Sequence, residues 1–197
     1  MKLYFAPGAC SHAVHICLRE ANATFDVMKV DLRSKKCADG SDFTAVNPKG
    51  YVPTLVLDSG DKLTEVSAIL QYVSDTFPAA NLAPAAGTFA RYQWLEWLGY
   101  INSELHKSMG ALFHTDEAGR PAAVARLEKQ LNFVESALEG KTWLVGDHFT
   151  AVDAYLFVIA SWHKWVKFDL APYKNLSAFV ARVADRPTIA AARAAER

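Results

Sequence analysis

Apolar residues change their spacing several times along the first eighty positions. Lys2 to Ala6 suits a short strand stopped by Pro7-Gly8. From Ser11 onward, Val14, Cys17, Leu18 and Ala21 recur at helical spacing. Phe25 to Val30 is a second strand. Residues 33–50 are polar and Gly-bearing with weak periodicity, which predicts an extended connection with one helical turn. Val52 to Leu57 is a nearly continuous apolar run ending at the turn signal Asp58-Ser59-Gly60-Asp61, so Lys62 to Thr64 returns as a hairpin partner. Glu65 to Thr76 places Val66, Ile69, Leu70 and Val73 on one helical face. The order βαβ, connection, ββα is that of a thioredoxin-like domain, although periodicity alone leaves other α/β orders open.

Two prolines and a run of small residues interrupt the pattern over 78–87. The expected division is a domain over 1–80, a linker over 81–87 and an all-helical domain over 88–197. Trp94, Leu98, Ile101, Leu105, Met109 and Leu112 keep steps of three or four, which predicts one helix over 88–113. Val124, Leu127, Leu131, Val134 and Leu138 repeat that spacing after Gly119-Arg120-Pro121. Thr150 followed three residues later by Asp153 has the form of a capping box. A last helix is expected over about 175–185, before Arg186-Pro187 and an Ala-rich tail. The fold class is α/β plus all-α.

Composition narrows the functional classes. Of 197 residues, 51% are hydrophobic and 21% charged, and Lys plus Arg (21) balance Asp plus Glu (21). A nucleic-acid binder would carry a basic surplus, and none is present. No segment reaches the roughly 18 apolar residues needed to cross a bilayer, and the opening residues lack a secretory signal pattern. Cys10, Cys17 and Cys37 form no metal-binding pattern. The expected location is the cytoplasm, where thiols stay reduced, with no metal, membrane or nucleic-acid partner.

Candidate chemistry begins at Cys10, after a strand and a Pro-Gly turn and directly before a helix. Unpaired backbone N–H groups and the helix dipole favour a thiolate there, and Ser11 adds a hydroxyl. Cys17 falls on the apolar face of the same helix, and Cys37 lies in the polar connection, where it is expected to be exposed. In Tyr51-Val52-Pro53, a cis bond would leave the backbone of Val52 free to pair with an extended ligand; an ordinary trans proline at a strand start fits the residues as well. Glu65 opens a helix, as a ligand partner for an ammonium group or as a routine first-turn acid. On the long helix, Ser103, Glu104, His106 and Lys107 gather hydroxyl, carboxylate, imidazole and ammonium groups within about one turn. A solvated face is the plainer reading of the same residues. His12 and His15, near Cys10, read as packing or hydrogen-bonding residues rather than a zinc site.

Met1 to Ser11, Asn47 to Pro53, Leu63-Thr64-Glu65, Ser103 to Lys107 and Leu144 through Asp153 together resemble the bacterial beta-class glutathione S-transferases, in order and at unchanged spacing. The resemblance implies a thioredoxin-like glutathione domain, a helical domain and a cytoplasmic homodimer. It places Cys10 and Ser11 beside the glutathione sulfur, Lys35 at the glycine carboxylate, and Val52, presented by cis Pro53, against the cysteinyl amide. Glu65 and the backbone of Val66 would hold the γ-glutamyl end. Ser103, Glu104, His106 and Lys107 would lie across the domain interface, with Glu104 reaching toward the partner subunit's ligand. Phe113 and Trp165 are candidate walls for a small hydrophobic electrophile.

Three positions depart from that pattern: Phe5 where many relatives carry Tyr, Val66 where Gly or Ser is common, and Gly99 where Asn is common. The leading expectation is a transferase that conjugates glutathione thiolate to electrophiles. The alternatives are a glutathione-dependent thiol oxidoreductase or reductive dehalogenase, using Cys10 through a mixed disulfide, and a non-catalytic binding protein of the same fold.

Overall fold

The computed structural model describes residues 1–197 and divides into two compact units, Met1–Ala83 with Arg186–Arg197, and Pro84–Asp185. In the first unit, β1 (Lys2–Phe5), α1 (Ser11–Glu20), β2 (Asp26–Asp31), β3 (Lys36–Cys37), β4 (Thr54–Val56), β5 (Lys62–Thr64) and α2 (Val66–Thr76) follow one another. The sheet order is β3-β2-β1-β4-β5. β1 is parallel to β2, with Leu3 opposite Val27, and antiparallel to β4, with Leu3 opposite Leu55. The parallel pair requires the α1 crossover, while β4 and β5 close as a hairpin, pairing Leu55 with Leu63. This is the expected thioredoxin-like order, with β3 added inside the connection over 33–50.

Alternation along β1 sends Leu3 and Phe5 to one buried face and Tyr4 to the other. α1 packs on β1 and on α2, and its buried face is Ala13, Val14, Ile16, Cys17 and Leu18. On the opposite side, Ala6, Val30, Cys37, Phe43 and Val52 form a second cluster, with Tyr4 stacked on Phe43 at 5.6 Å between ring centres. Phe43 begins the single 3-10 turn (Phe43–Ala45) of the polar connection. Cys37, expected to be exposed, is buried in this cluster. The two-residue strand β3 turns it inward, and a strand that short leaves no periodicity to read.

A larger correction concerns the chain end. Arg186–Arg197 belongs with the first unit rather than with the helical domain assigned to 88–197. Helix α8 (Pro187–Ala195) starts with proline in its first turn, where its fixed φ and missing N–H are tolerated. It buries Ile189 and Ala192, and packs on α1. Arg186 holds the Glu20 carboxylate through two bonds of 2.8 and 2.9 Å, and the Thr188 hydroxyl donates to the same group. Alanine-rich composition hid this helix, whose packing partner lies far away in the sequence.

The second unit contains α3 (Phe89–Tyr100), α4 (His106–Ala111), α5 (Arg120–Ala137), α6 (Ala151–Ser161) and α7 (Lys174–Ala184). The long helix expected over 88–113 is interrupted: Ile101–Leu105 forms a wider π-helical turn joining α3 to α4. Such a turn keeps helical apolar spacing, so the sequence pattern conceals it. α6 is apolar all round and buried from Ala151 to Ala160, which makes it the central helix. At its start, Asp153 accepts from Leu144 N–H (2.9 Å), Thr150 N–H (2.8 Å) and the Thr150 hydroxyl (2.8 Å), satisfying orphan donors of the helix entrance. No helix is long and apolar enough to cross a membrane.

Candidate functional site

In the first unit, the candidate site residues sit at four connections: β1 to α1, β2 to β3, the approach to β4, and β5 to α2. Cys10 occupies the N-cap of α1, with helical backbone angles, and its half-buried thiol points to the carbonyl oxygen of Val52 at 3.5 Å. The turn after β1 thus meets the loop before β4. Gly8 supplies the tight corner with φ of +70°, a region open to glycine without strain. Ser11 is fully buried, and its hydroxyl both accepts from Ala6 N–H and donates to Ala6 C=O, each at 3.3 Å. The resemblance placed this hydroxyl beside a ligand sulfur, whereas here it braces the loop from within.

The Val52-Pro53 bond is cis. Val52 is buried, and its N–H has no acceptor within the chain. Asn47 fixes this loop: its side-chain N–H group bonds Tyr51 C=O at 2.8 Å and the Thr54 hydroxyl at 3.0 Å. Lys35 has a left-handed backbone, and its ammonium reaches Gly50 C=O at 2.9 Å and lies over the Tyr51 ring. The Lys35 stem runs within 3.3 Å of where a side chain at Gly50 would begin. Glu65, also left-handed at φ of +71°, caps α2, and its exposed carboxylate pairs with Lys49. A non-glycine residue held there is strained, a feature that clusters at ligand sites. Val66 is buried as the first residue of α2 and contributes no polar side chain.

Behind Cys10, His12 and His15 are buried on α1, and both direct Nδ1 to one oxygen of Glu196, at 2.8 and 2.9 Å. Arg19 Nε donates to His15 Nε2 at 2.9 Å, which assigns the His15 proton to Nδ1. These three side chains have ligand atoms close enough for a metal ion. Their hydrogen bonds, and the Arg19 cation beside His15, describe a charge-balanced network instead. Sequence reading took His15 as a packing or hydrogen-bonding residue and gave neither histidine a catalytic role; it missed Glu196, which is 181 and 184 positions away.

In the second unit, the π-helical turn separates residues that the sequence treated as one set. Ser103 and Lys107 are exposed, and Glu104 sits 3.8 Å from Arg126 across a solvent-accessible gap. His106 turns inward, with Nδ1 at 2.8 Å from the Tyr155 hydroxyl and its ring edge-on to Trp162 at 5.0 Å. Tyr155 in turn donates to Asn102 Oδ1 at 3.1 Å. Because the phenol has one proton and Asn102 receives it, His106 carries its own proton on Nδ1, leaving Nε2 as an acceptor. Burial, with the Lys107 ammonium adding to it, pushes the His106 imidazolium down to about 4, so the ring is neutral near pH 7. Phe113 packs against Trp162 at 5.6 Å and is thereby joined to His106, while Trp165 is largely exposed. Tyr155 and Trp162 were missed because they read as core; their separation of seven, two helical turns, was the available signal.

Comparison with known proteins agrees with this architecture. Residues 1–75 match the glutathione S-transferase N-terminal domain, and residues 92–187 match the C-terminal domain. The chain is 45% identical to glutathione S-transferase GstA of Escherichia coli O157:H7, covering 100% of this chain and 98% of that protein. It superposes on the bacterial beta-class glutathione S-transferase of Sphingomonas chungbukensis with a TM-score of 0.96 at 44% identity, covering 100% and 98% of the two chains. A sphingomonad glutathione S-transferase complexed with glutathione gives a TM-score of 0.95 at 43% identity, with the same coverage. The chain belongs to the glutathione S-transferase family, in its bacterial beta class.

Proposed function

We propose that this protein conjugates the thiolate of glutathione to small hydrophobic electrophiles. The observation that carries the reading is the meeting of Cys10 at the α1 N-terminus with the Val52 backbone beside cis Pro53, where the Val52 N–H lacks an internal acceptor. An extended peptide supplies the C=O which that N–H needs. Glutathione has two carboxylates, an ammonium and a thiol. Lys35 answers one carboxylate, Glu65 the ammonium, and the backbone N–H at Val66 the other carboxylate. Bringing a thiol from about 8.5 to neutrality takes about 2 kcal/mol of preferential thiolate binding, within the reach of a helix N-terminus and one or two donors.

His106, neutral, offers Nε2 as a hydrogen-bond acceptor to the glutathione thiol, and Ser103, Glu104 and Lys107 supply the polar surface around it. The thiolate sulfur attacks an electrophilic carbon, a C–S bond forms, and the leaving group departs with its electron pair. Phe113, Trp162 and Trp165 offer apolar surface to the electrophile. Phe89 and Tyr92, largely exposed on α3, support assembly as a homodimer, and the location assigned is the cytoplasm.

Isothermal calorimetry with glutathione, followed by conjugation to an aryl halide, tests the proposal. Absence of glutathione binding at millimolar concentrations overturns it. A second reading, in which the Cys10 thiolate attacks a glutathione-mixed disulfide, releases the substrate thiol and is itself freed by a second glutathione that leaves as glutathione disulfide, is favoured by the half-exposed thiol at a helix start. Cys10→Ala separates the two: conjugation partly survives the change, and disulfide reduction disappears if Cys10 is the nucleophile.

A further inference from the structure

Glu196 is 4% exposed, and Gly8, His12 and His15 donate to its carboxylate. One carboxylate oxygen takes both imidazole Nδ1–H groups, and the other faces Gly8 N–H at 3.5 Å. Gly8 lies in the turn that leads to Cys10, and His12 lies two residues beyond it. The carboxylate therefore grips the Cys10 turn on both flanks, while Ser11 ties the same turn to Ala6 from inside. Burial would raise the Glu196 carboxyl, but the hydrogen bonds from His12 and His15 prevail and hold it below the usual range. Arg19 bonds the far nitrogen of His15 and so lies outside the contacts between Glu196 and the turn.

We propose that Glu196 is a positioning residue for glutathione binding, holding the Cys10 turn through Gly8 and His12. This rests on the functional reading above. The geometry requires more than a staple for α8, because Arg186 and Thr188 already fasten the start of that helix to Glu20. Glu196 is the contact that reaches the turn itself. His12 Nε2 is buried without a hydrogen-bond partner, so the bond from Nδ1 is the one that orients the ring. Without the carboxylate, the first turn of α1 loses its tether.

Two variants and one control decide the matter. Glu196→Gln keeps the volume and removes the charge, His12→Leu removes one donor, and Arg19→Met removes the outer His15 bond and the cation over Phe25 without touching Gly8 or His12. In Glu196→Gln and His12→Leu, amide hydrogen exchange over residues 6–13 should rise about tenfold, and the glutathione Kd about fivefold. Arg19→Met should leave both within about twofold of the wild-type value. Wild-type exchange and Kd in Glu196→Gln, even with a lowered melting temperature, would reduce Glu196 to a structural staple and overturn the proposal. Should Glu196→Gln fail to fold, His12→Leu decides by the same readouts. If the wild-type protein binds no glutathione, the functional reading falls, and exchange over 6–13 alone decides whether Glu196 holds the turn.

Discussion

The Tyr155 hydroxyl stands 2.8 Å from Nδ1 of His106 and donates its own proton to Asn102, so one buried phenol fixes both the tautomer and the aim of the imidazole. The relation joins α6, the central helix of its unit, to the first residue of α4. Tyr155→Phe removes that oxygen with little change in volume. If His106 Nε2 orients the glutathione thiol through a hydrogen bond during conjugation, kcat should fall about tenfold in this variant. The KM for glutathione should stay near its wild-type value. Steady-state kinetics with glutathione varied at fixed electrophile separates the two, and an unchanged kcat removes His106 from the reaction.

Stability should depend on pH through His106. Its folded value of about 4 lies below the ordinary 6.5. Between those values the unfolded chain binds a proton that the folded chain refuses, so acid favours unfolding. The stabilisation is complete above pH 6.5 and is lost as the pH falls to 4, by about 3 kcal/mol from the shift in pKa. Urea midpoints from pH 7.5 to 4.5 should drop more steeply for the wild-type chain than for His106→Gln. Parallel curves would show that His106 titrates alike in both states.

Ser11→Ala tests a residue whose sequence position suggested chemistry. Its hydroxyl is spent on Ala6, and Ala6 C=O also receives Ala9 N–H at 3.1 Å. The substitution orphans Ala6 N–H and should cost about 1 kcal/mol of stability, with the thiolate absorbance titration of bound glutathione unshifted. A raised titration midpoint at unchanged stability would return Ser11 to the sulfur.

Gly99 is helical, and a Cβ there would meet nothing within 4 Å in this chain. Gly99→Ala should therefore stabilise the protein by about 0.5–1 kcal/mol, through helix propensity and a less flexible unfolded state. Chemical denaturation measures this directly. A loss of stability would reveal a neighbour that the single chain does not contain.

Local regularities carried the order of elements into the sequence. The alternation of β1, the turn at Asp58 to Asp61, the seam along Val66, Ile69, Leu70 and Val73, and the pairing of Thr150 with Asp153 each depend on neighbours a few residues apart, and such neighbours leave a period or a spacing. Cys10, Pro53 and Glu65 were legible for a related reason: each sits where a strand or helix begins, and beginnings have chemical signatures.

Only the tertiary structure decided what those groups touch. Glu196 reaches His12 across almost the whole chain, Tyr155 reaches His106 across 49 positions, and no spacing rule records either contact. The π-helical turn at Ile101–Leu105 re-aims the polar set of α4 without disturbing the apolar steps that betray a helix. Burial then sets the chemistry, since the same imidazole that would be half charged in water near pH 6.5 is held neutral beside Trp162. Sequence determines which groups are available and where elements start. Packing determines their partners and their protons, because both depend on distances and solvent exclusion that a linear pattern does not contain.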